Sequence, residues 1–276
     1  MKSEVKRDFY LMNGKKIESN NIEFLDKVSA PYIYEVIRVI DGVALFSEAH
    51  IDRLRESLRS SGYELKLKNS DLISDMNRLI ELNGVINQNI KIVCTGFEKE
   101  DFDIFMYFIL SHYPAKEVYS TGIKTILFKS ERENPNAKVM NKELRQRVNK
   151  KLQETGAFEA LLVDDNGYIT EGSRSNFFFI KDNGLYTPPA DTVLMGITRK
   201  EVIASARELG IELKEERLKA NEIDKLDGVF ITGTSNDALP IRYIDDIEIM
   251  TAENDIMKSI IKKYNEKVKI YIDERK

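Results

Sequence analysis

Polar and apolar positions change their period several times along the chain, and each change marks an element. Met12-Asn13-Gly14 reads as a tight turn between short strands. Tyr32 to Val39, YIYEVIRV, is β-branched and aromatic and runs into Asp41-Gly42, a hairpin signal. The period then becomes helical. Ile51, Leu54 and Leu58 form one stripe, Ser47 stands where an N-cap belongs, and Gly62 closes the segment. A second helix is predicted over 71–82 and strands over 90–95 and 103–110. Together they predict an α+β unit with an antiparallel sheet over 1–115. In SHYPAKEVYST the pattern lapses, and Pro114 with its polar neighbours suits a linker, placed at 116–121.

A second, larger domain is expected over 122–276. It opens with a strand at 122–128. A helix over 141–154 carries Leu144, Val148 and Leu152 and is closed by Gly156. Strands at 159–163 and 168–170 meet through Asp165-Asn166-Gly167, and a third covers 176–180. A helix starting at Thr198 carries Val202, Ile203, Ala206 and Leu209. Strands follow at 211–217 and 228–232. The last helix, 252–266, has Ile256, Ile260, Ile261 and Tyr264 on one side. Its Lys258, Lys262, Lys263 and Lys267 form a solvated face near the C-terminus.

Composition narrows the chemistry. The chain has 276 residues, 42 Lys and Arg against 46 acids, and a formal net charge of −4, so no basic excess points to nucleic acid. MKSEVKRDFYLMNGKK has no apolar core of signal-peptide length, and no apolar run reaches a membrane span. One cysteine, Cys94, excludes an internal disulfide and suits a reducing, cytoplasmic setting. With only two histidines, His50 and His112, a zinc cluster or a histidine-based triad is not expected. Any electrophile should therefore come from a bound cofactor.

Four stretches could serve one. In GITRKEV, Gly196 precedes a helix start with Thr198 at or near its N-cap, an arrangement that presents amides to an anion, or is an ordinary capped helix. GTSNDALP, after the apolar strand Val229–Ile231, offers Thr234 for the same purpose, or is a polar turn. Lys138, in NPNAKVMN, sits among small and apolar residues, where a lysine becomes a usable nucleophile; by composition Lys124 and Lys142 stand equally open. Glu171, in YITEGSRSNFFF, sits at the mouth of an apolar strand, where a carboxylate could keep a ring nitrogen protonated, or is a hairpin glutamate in water.

In this order and spacing, AKVMN, NGYITEGSRSNFFFIKDNGLYTPP, LMGITRKEVI and FITGTSNDALPI resemble the fold-type IV pyridoxal phosphate enzymes. That family holds branched-chain aminotransferases, D-amino acid aminotransferases and aminodeoxychorismate lyases. YEVIRV and HIDRL extend the resemblance into the first domain. It implies an α+β fold of two domains, the larger with a β-barrel-like sheet core, and a homodimer whose two-fold interface completes the active site. It further implies that Lys138 carries pyridoxal 5'-phosphate and shuttles the proton, and that Glu171 pairs with the ring nitrogen. Ile197, Thr198 and Thr234 would hold the phosphate, Leu194 would pack on the ring, and Tyr34 would face the cofactor. Arg53, otherwise read as exposed, would neutralise the phosphate.

Two features depart from the family pattern. The approach DKVSAPYIYE carries Pro31 and no glycine, and IVCTGFEKED lacks the arginine that grips the substrate carboxylate in the D-amino acid branch. Arg174 and Arg38 are the candidate substitutes. The expected activity is transfer of an amino group between an amino acid and a 2-oxo acid. A lyase releasing pyruvate is the alternative that Asn236 and the Lys138–Asn141 spacing keep open. A pyridoxal phosphate-binding protein without turnover is a third.

Overall fold

The computed structural model describes residues 4–21, 23, 25, 28, 31–98, 101–130 and 136–276. Most of the DKVSAP approach, residues 99–100 of IVCTGFEKED and the ERENP stretch at 131–135 lie outside the described residues. The chain divides into two compact units. One holds Met1–His112, Ala137–Asn141 and Val268–Lys276; the other holds Tyr113–Asn136 and Lys142–Lys267. The segment 116–121, read as a linker, includes the short helix α3 described below and groups with the second unit.

In the first unit the strands are β1 (Phe9–Met12), β2 (Lys15–Glu18), β3 (Ile33–Ile40), β4 (Val43–Ala44), β5 (Gln88–Thr95) and β6 (Asp103–Ile109). They form an antiparallel sheet in the order β2-β1-β6-β5-β3-β4. Helices α1 (Ser47–Ser60) and α2 (Asn69–Asn83) cover one face. Strict alternation along β3 explains this: Ile33, Ile37 and Val39 point into the helix-side core, beside Ile90, Ile92 and Cys94 of β5. Ile51, Leu54 and Leu58 of α1 are each fully buried there, a contribution of about 1.5–3 kcal/mol per side chain. The other face carries Tyr32, Val93, Phe105 and Tyr107, with Tyr34 packed against them.

Ser47 is not the cap of α1. It is the first helical residue, Phe46 occupies the N-cap position at φ 49°, and no side chain caps the helix. The Ser47 amide is instead satisfied by the Tyr271 hydroxyl, at 3.2 Å.

The second unit contains α3 (Val118–Thr121), β7 (Ile123–Lys129), α4 (Lys142–Thr155), β8 (Glu159–Val163), β9 (Tyr168–Gly172), β10 (Asn176–Lys181) and β11 (Gly184–Thr187). It continues with α5 (Ile197–Glu208), β12 (Leu213–Glu215), β13 (Leu218–Lys219), β14 (Gly228–Gly233), β15 (Asp237–Ile244), β16 (Ile247–Glu248) and most of α6 (Asp255–Asp273). The sheet runs β12-β11-β10-β14-β15-β7-β8-β9-β13, with β16 added to β15. The Phe177–Ile180 run is buried throughout, as a strand flanked by β11 and β14 must be.

Two expectations are corrected here. Residues 211–217 do not form one strand: β12 and β13 are short and lie at opposite edges of the sheet. The last helix starts at Asp255, with Asn254 Oδ1 accepting from the Ile256 amide at 2.9 Å, and runs to Asp273. Its lysines are therefore not at its C-terminus, and Lys263 and Lys267 pair with Glu208, each at 2.9 Å. Among the described residues no helix is long and apolar enough to cross a membrane.

Candidate active site

Lys138 belongs to a five-residue segment that joins the first unit although most of its sequence neighbours belong to the second. The segment lies along β3 as a short extra strand. Val139 bridges Ile33, the Tyr34 amide donates to the Lys138 carbonyl at 3.1 Å, and the Met140 amide donates to the Tyr32 carbonyl at 3.1 Å. The Lys138 amide donates to Ser57 Oγ on α1 at 3.3 Å. Half-buried, the lysine carries its Nζ 5.1 Å from the centre of the Tyr34 ring. Backbone pairing thus fixes both ends of the contact between the candidate nucleophile and Tyr34.

Arg53 is not exposed; it is 7 % accessible. The reason is Glu35, the one charged residue on the inward side of β3. Its carboxylate is fully buried and accepts from Arg53 Nε at 2.7 Å and Nη2 at 2.6 Å, a bidentate pair that fixes the guanidinium plane. His50 Nδ1 lies 2.9 Å from the same carboxylate. Burial alone pushes the Glu35 carboxyl up, but Arg53 and His50 outweigh it and hold it at about 2. Burial also pushes the His50 imidazole below its ordinary value, offset only in part by Glu35. The sequence signal for this cluster was Glu35 itself, in phase with Ile33 and Ile37 on a face that should be apolar.

In the second unit Leu194 acts as a strap. Its amide donates to Glu171 Oε2 at 3.2 Å, and its carbonyl accepts from Asn176 Nδ2 at 2.7 Å and the Gly196 amide at 2.8 Å. Glu171, at the end of β9, is 3 % accessible. These bonds bring Glu171, Leu194, Ile197 and Thr198 into one neighbourhood. Thr198 stands near the N-cap of α5, as the second residue of the helix. Gly196 holds the N-cap position itself, without a side-chain cap, and no acid stands in the first turn. A Cβ on Gly196 would overlap Asn176 Oδ1, so a side chain here would displace the Asn176 amide that bonds the Leu194 carbonyl. Asn176 pairs in register with Thr232 of β14, and Thr232 Oγ1 is buried with no hydrogen-bond partner among the described residues. Gly233 at the end of that strand lies against Arg174 and Ser175, which sets the Thr234 turn beside the turn after Glu171.

That turn is organised by Glu159, a residue the sequence reading passed over. Buried at 2 %, its carboxylate accepts from the Ala160 amide at 2.8 Å, Ser173 Oγ at 2.6 Å, Ser175 Oγ at 3.1 Å and the Arg174 amide at 3.3 Å. An acid opening the apolar strand EALLV was its only signal.

The three substrate candidates fall in different settings. Arg38 is half-buried on β3, on the same side as Tyr34 and opposite Asn89 in register. Arg174 is exposed, and its guanidinium donates to Asn149 Oδ1 on α4. Asn236 sits in the β14–β15 turn, its carbonyl accepting from the Tyr119 hydroxyl at 3.1 Å.

Residues 32–244 match the family model described as amino-transferase class IV. The chain is similar to a D-alanine aminotransferase of Bacillus licheniformis, 28 % identical over 263 residues, spanning 85 % of this chain and 88 % of that protein. It is 30 % identical over 236 residues to a branched-chain-amino-acid aminotransferase of Pseudomonas aeruginosa, covering 79 % and 77 % of the two chains. A crystal structure of the T.th. branched-chain amino acid aminotransferase with pyridoxamine 5'-phosphate superposes with a TM-score of 0.84 at 23 % identity, over 96 % of this chain and 95 % of that one.

Proposed function

Since this chain belongs to the class IV aminotransferases, we propose that it is a transaminase moving an amino group between an amino acid and a 2-oxo acid, with Lys138 as its catalytic amine. When bound, pyridoxal phosphate supplies a reactive carbonyl and an electron sink. The observation that carries the reading is the pairing of the Lys138 segment to β3, which presents the amine beside Tyr34 at a fixed height.

The residues present fit a phosphorylated pyridine. The uncapped, acid-free start of α5 offers the amides of Ile197 and Thr198 to an anion. Thr232 Oγ1 is a buried hydroxyl with no partner among the described residues, on the strand that leads to Thr234. In this reading Ile197, Thr198 and Thr234 bind the phosphate, and Arg53, held in plane by Glu35, adds positive charge. Glu171, oriented by the Leu194 amide, sits against the ring nitrogen and keeps it protonated. Leu194 packs on the ring, and Tyr34 donates to its phenolic oxygen. Lys138 would hold the cofactor through its amine, be freed when the substrate amine replaces it, and then take up the Cα proton of the amino acid on its Nζ. Arg38 and Asn236 face the substrate. A cytoplasmic homodimer completes the proposal, and sedimentation would test its mass.

The test uses the yellow holoprotein. An amino donor alone should bleach the cofactor band, and borohydride reduction followed by peptide mapping should place the adduct on Lys138. Lys138→Ala should lose turnover while keeping cofactor by non-covalent contacts. An adduct on another lysine, or none, overturns the assignment. Pyruvate released without an oxo-acid acceptor would mark a lyase instead.

A further inference from the structure

IVCTGFEKED contains no arginine, yet the strand it continues carries another cation. Lys91 lies on β5, inside the otherwise apolar run Ile90–Cys94, and is 4 % accessible. In register it faces Val36 on one side and Tyr107 on the other, which puts it on the same sheet face as Tyr32 and Tyr34. Its Nζ lies 5.0 Å from the Tyr32 ring centre and 5.4 Å from the Tyr34 ring centre, and donates to the Tyr32 hydroxyl at 3.2 Å. Tyr34 is the ring that also meets the Lys138 amine, at 5.1 Å. One aromatic ring therefore has both amines beside it.

A buried ammonium needs an anion. Here it is Glu4, 2.7 Å away and also bonded by the Tyr107 hydroxyl at 3.1 Å. The two partners are unequally buried: the lysine side chain is 6 % accessible and the glutamate 40 %. The cation is fixed by aromatic walls and a strand, while its counter-ion comes from near the chain start and keeps one side in water. A carboxylate of comparable geometry could take the place of Glu4 without moving the lysine.

We infer that Lys91 binds a carboxylate of the substrate, with Glu4 as the internal anion it displaces. The inference rests on the proposed transaminase reading and names the cation that reading leaves open. The carboxylate is either the α-carboxylate common to all substrates or a second one on the side chain of a dicarboxylic substrate. Oxo acids of the two kinds separate these sources.

The experiment measures KM and kcat of the holoenzyme with 2-oxobutanoate and with 2-oxoglutarate, for the wild type, Lys91→Gln and Glu4→Gln. Loss of a charge-assisted bond should raise KM on the order of 10- to 100-fold in Lys91→Gln, with kcat changed much less. A rise with both oxo acids assigns the α-carboxylate; a rise with 2-oxoglutarate alone assigns the side-chain carboxylate. Glu4→Gln removes the competing anion and should lower KM for the same oxo acids. Those opposite signs are what a merely structural ion pair would not give. Should Lys91→Gln fold poorly, Glu4→Gln, altered at a half-wet position, still decides. Unchanged KM in both variants, or a rise in both, overturns this inference while donor-dependent bleaching of the wild type keeps the parent reading. A wild type that no donor bleaches overturns both.

Discussion

Replacing Glu35 with glutamine should reveal how much the first unit depends on one buried carboxylate. Glutamine keeps the volume and one acceptor oxygen. It removes the charge and turns an NH₂ toward a guanidinium that has only donors. Arg53, 7 % accessible, is then left without the bidentate partner that holds it at 2.6 and 2.7 Å. Breaking a buried pair from one side costs about 3–5 kcal/mol. The chain has no tryptophan, so urea unfolding followed by far-UV circular dichroism is the practical assay. At pH 7 the variant should lose roughly that much stability.

The same change should alter the response to acid. With a folded value of about 2 against an ordinary 4.5, Glu35 contributes stability that is complete above 4.5 and disappears as pH falls toward 2. From those values the loss is about 1 kcal/mol at pH 4 and about 2 kcal/mol at pH 3. The gap between wild type and Glu35→Gln should therefore narrow from pH 7 to pH 3. A variant within 1 kcal/mol of wild type at pH 7, or a gap that stays constant with pH, would refute the reasoning.

Two further substitutions probe the second unit. Glu159→Ala strands four donors around a buried carboxylate site and should cost about 2–4 kcal/mol, with weaker cofactor retention on dilution because the turn after Glu171 loosens; Glu159→Gln should fall between it and wild type in the same denaturation and absorbance series. Gly196→Ala pushes a methyl onto Asn176 Oδ1, so it should destabilise by about 1–3 kcal/mol and weaken cofactor binding in equilibrium dialysis, with the secondary structure by circular dichroism unchanged.

Elements whose pattern is set by burial on one face were legible. The Ile51, Leu54 and Leu58 stripe became a helix packed on β3 and β5, and the Phe177–Ile180 run became a buried strand. Helix starts were less so. A serine or threonine cap contributes about 1 kcal/mol, and a single long-range partner can outweigh it. Ser47 shows this, its amide taken by Tyr271, 224 positions away. The break between β12 and β13, at opposite edges of the sheet, was not visible either, since nothing local in LKEERLK says that the chain changes edges there. The chemistry divides in the same way. Glu171, Leu194, Ile197 and Thr198 were named together because the motifs that carry them lie in order along the chain, and a few bonds to Leu194 gather them.

What stayed hidden was charge on a face that periodicity assigns to the core. By the apolar stripe of α1 alone Arg53 reads as exposed, but the inward face of β3 holds Glu35, and the pair is stable in the interior only as a pair. Lys91 repeats the logic on the opposite face of the sheet, where Glu4 and two tyrosines make burial tolerable. Each partner alone reads as a misplaced charge, because the contact that explains it spans 18 positions in one case and 87 in the other. One ionisable residue on an otherwise apolar face of a strand is therefore a sequence-level signal. It states that a counter-ion exists elsewhere in the chain.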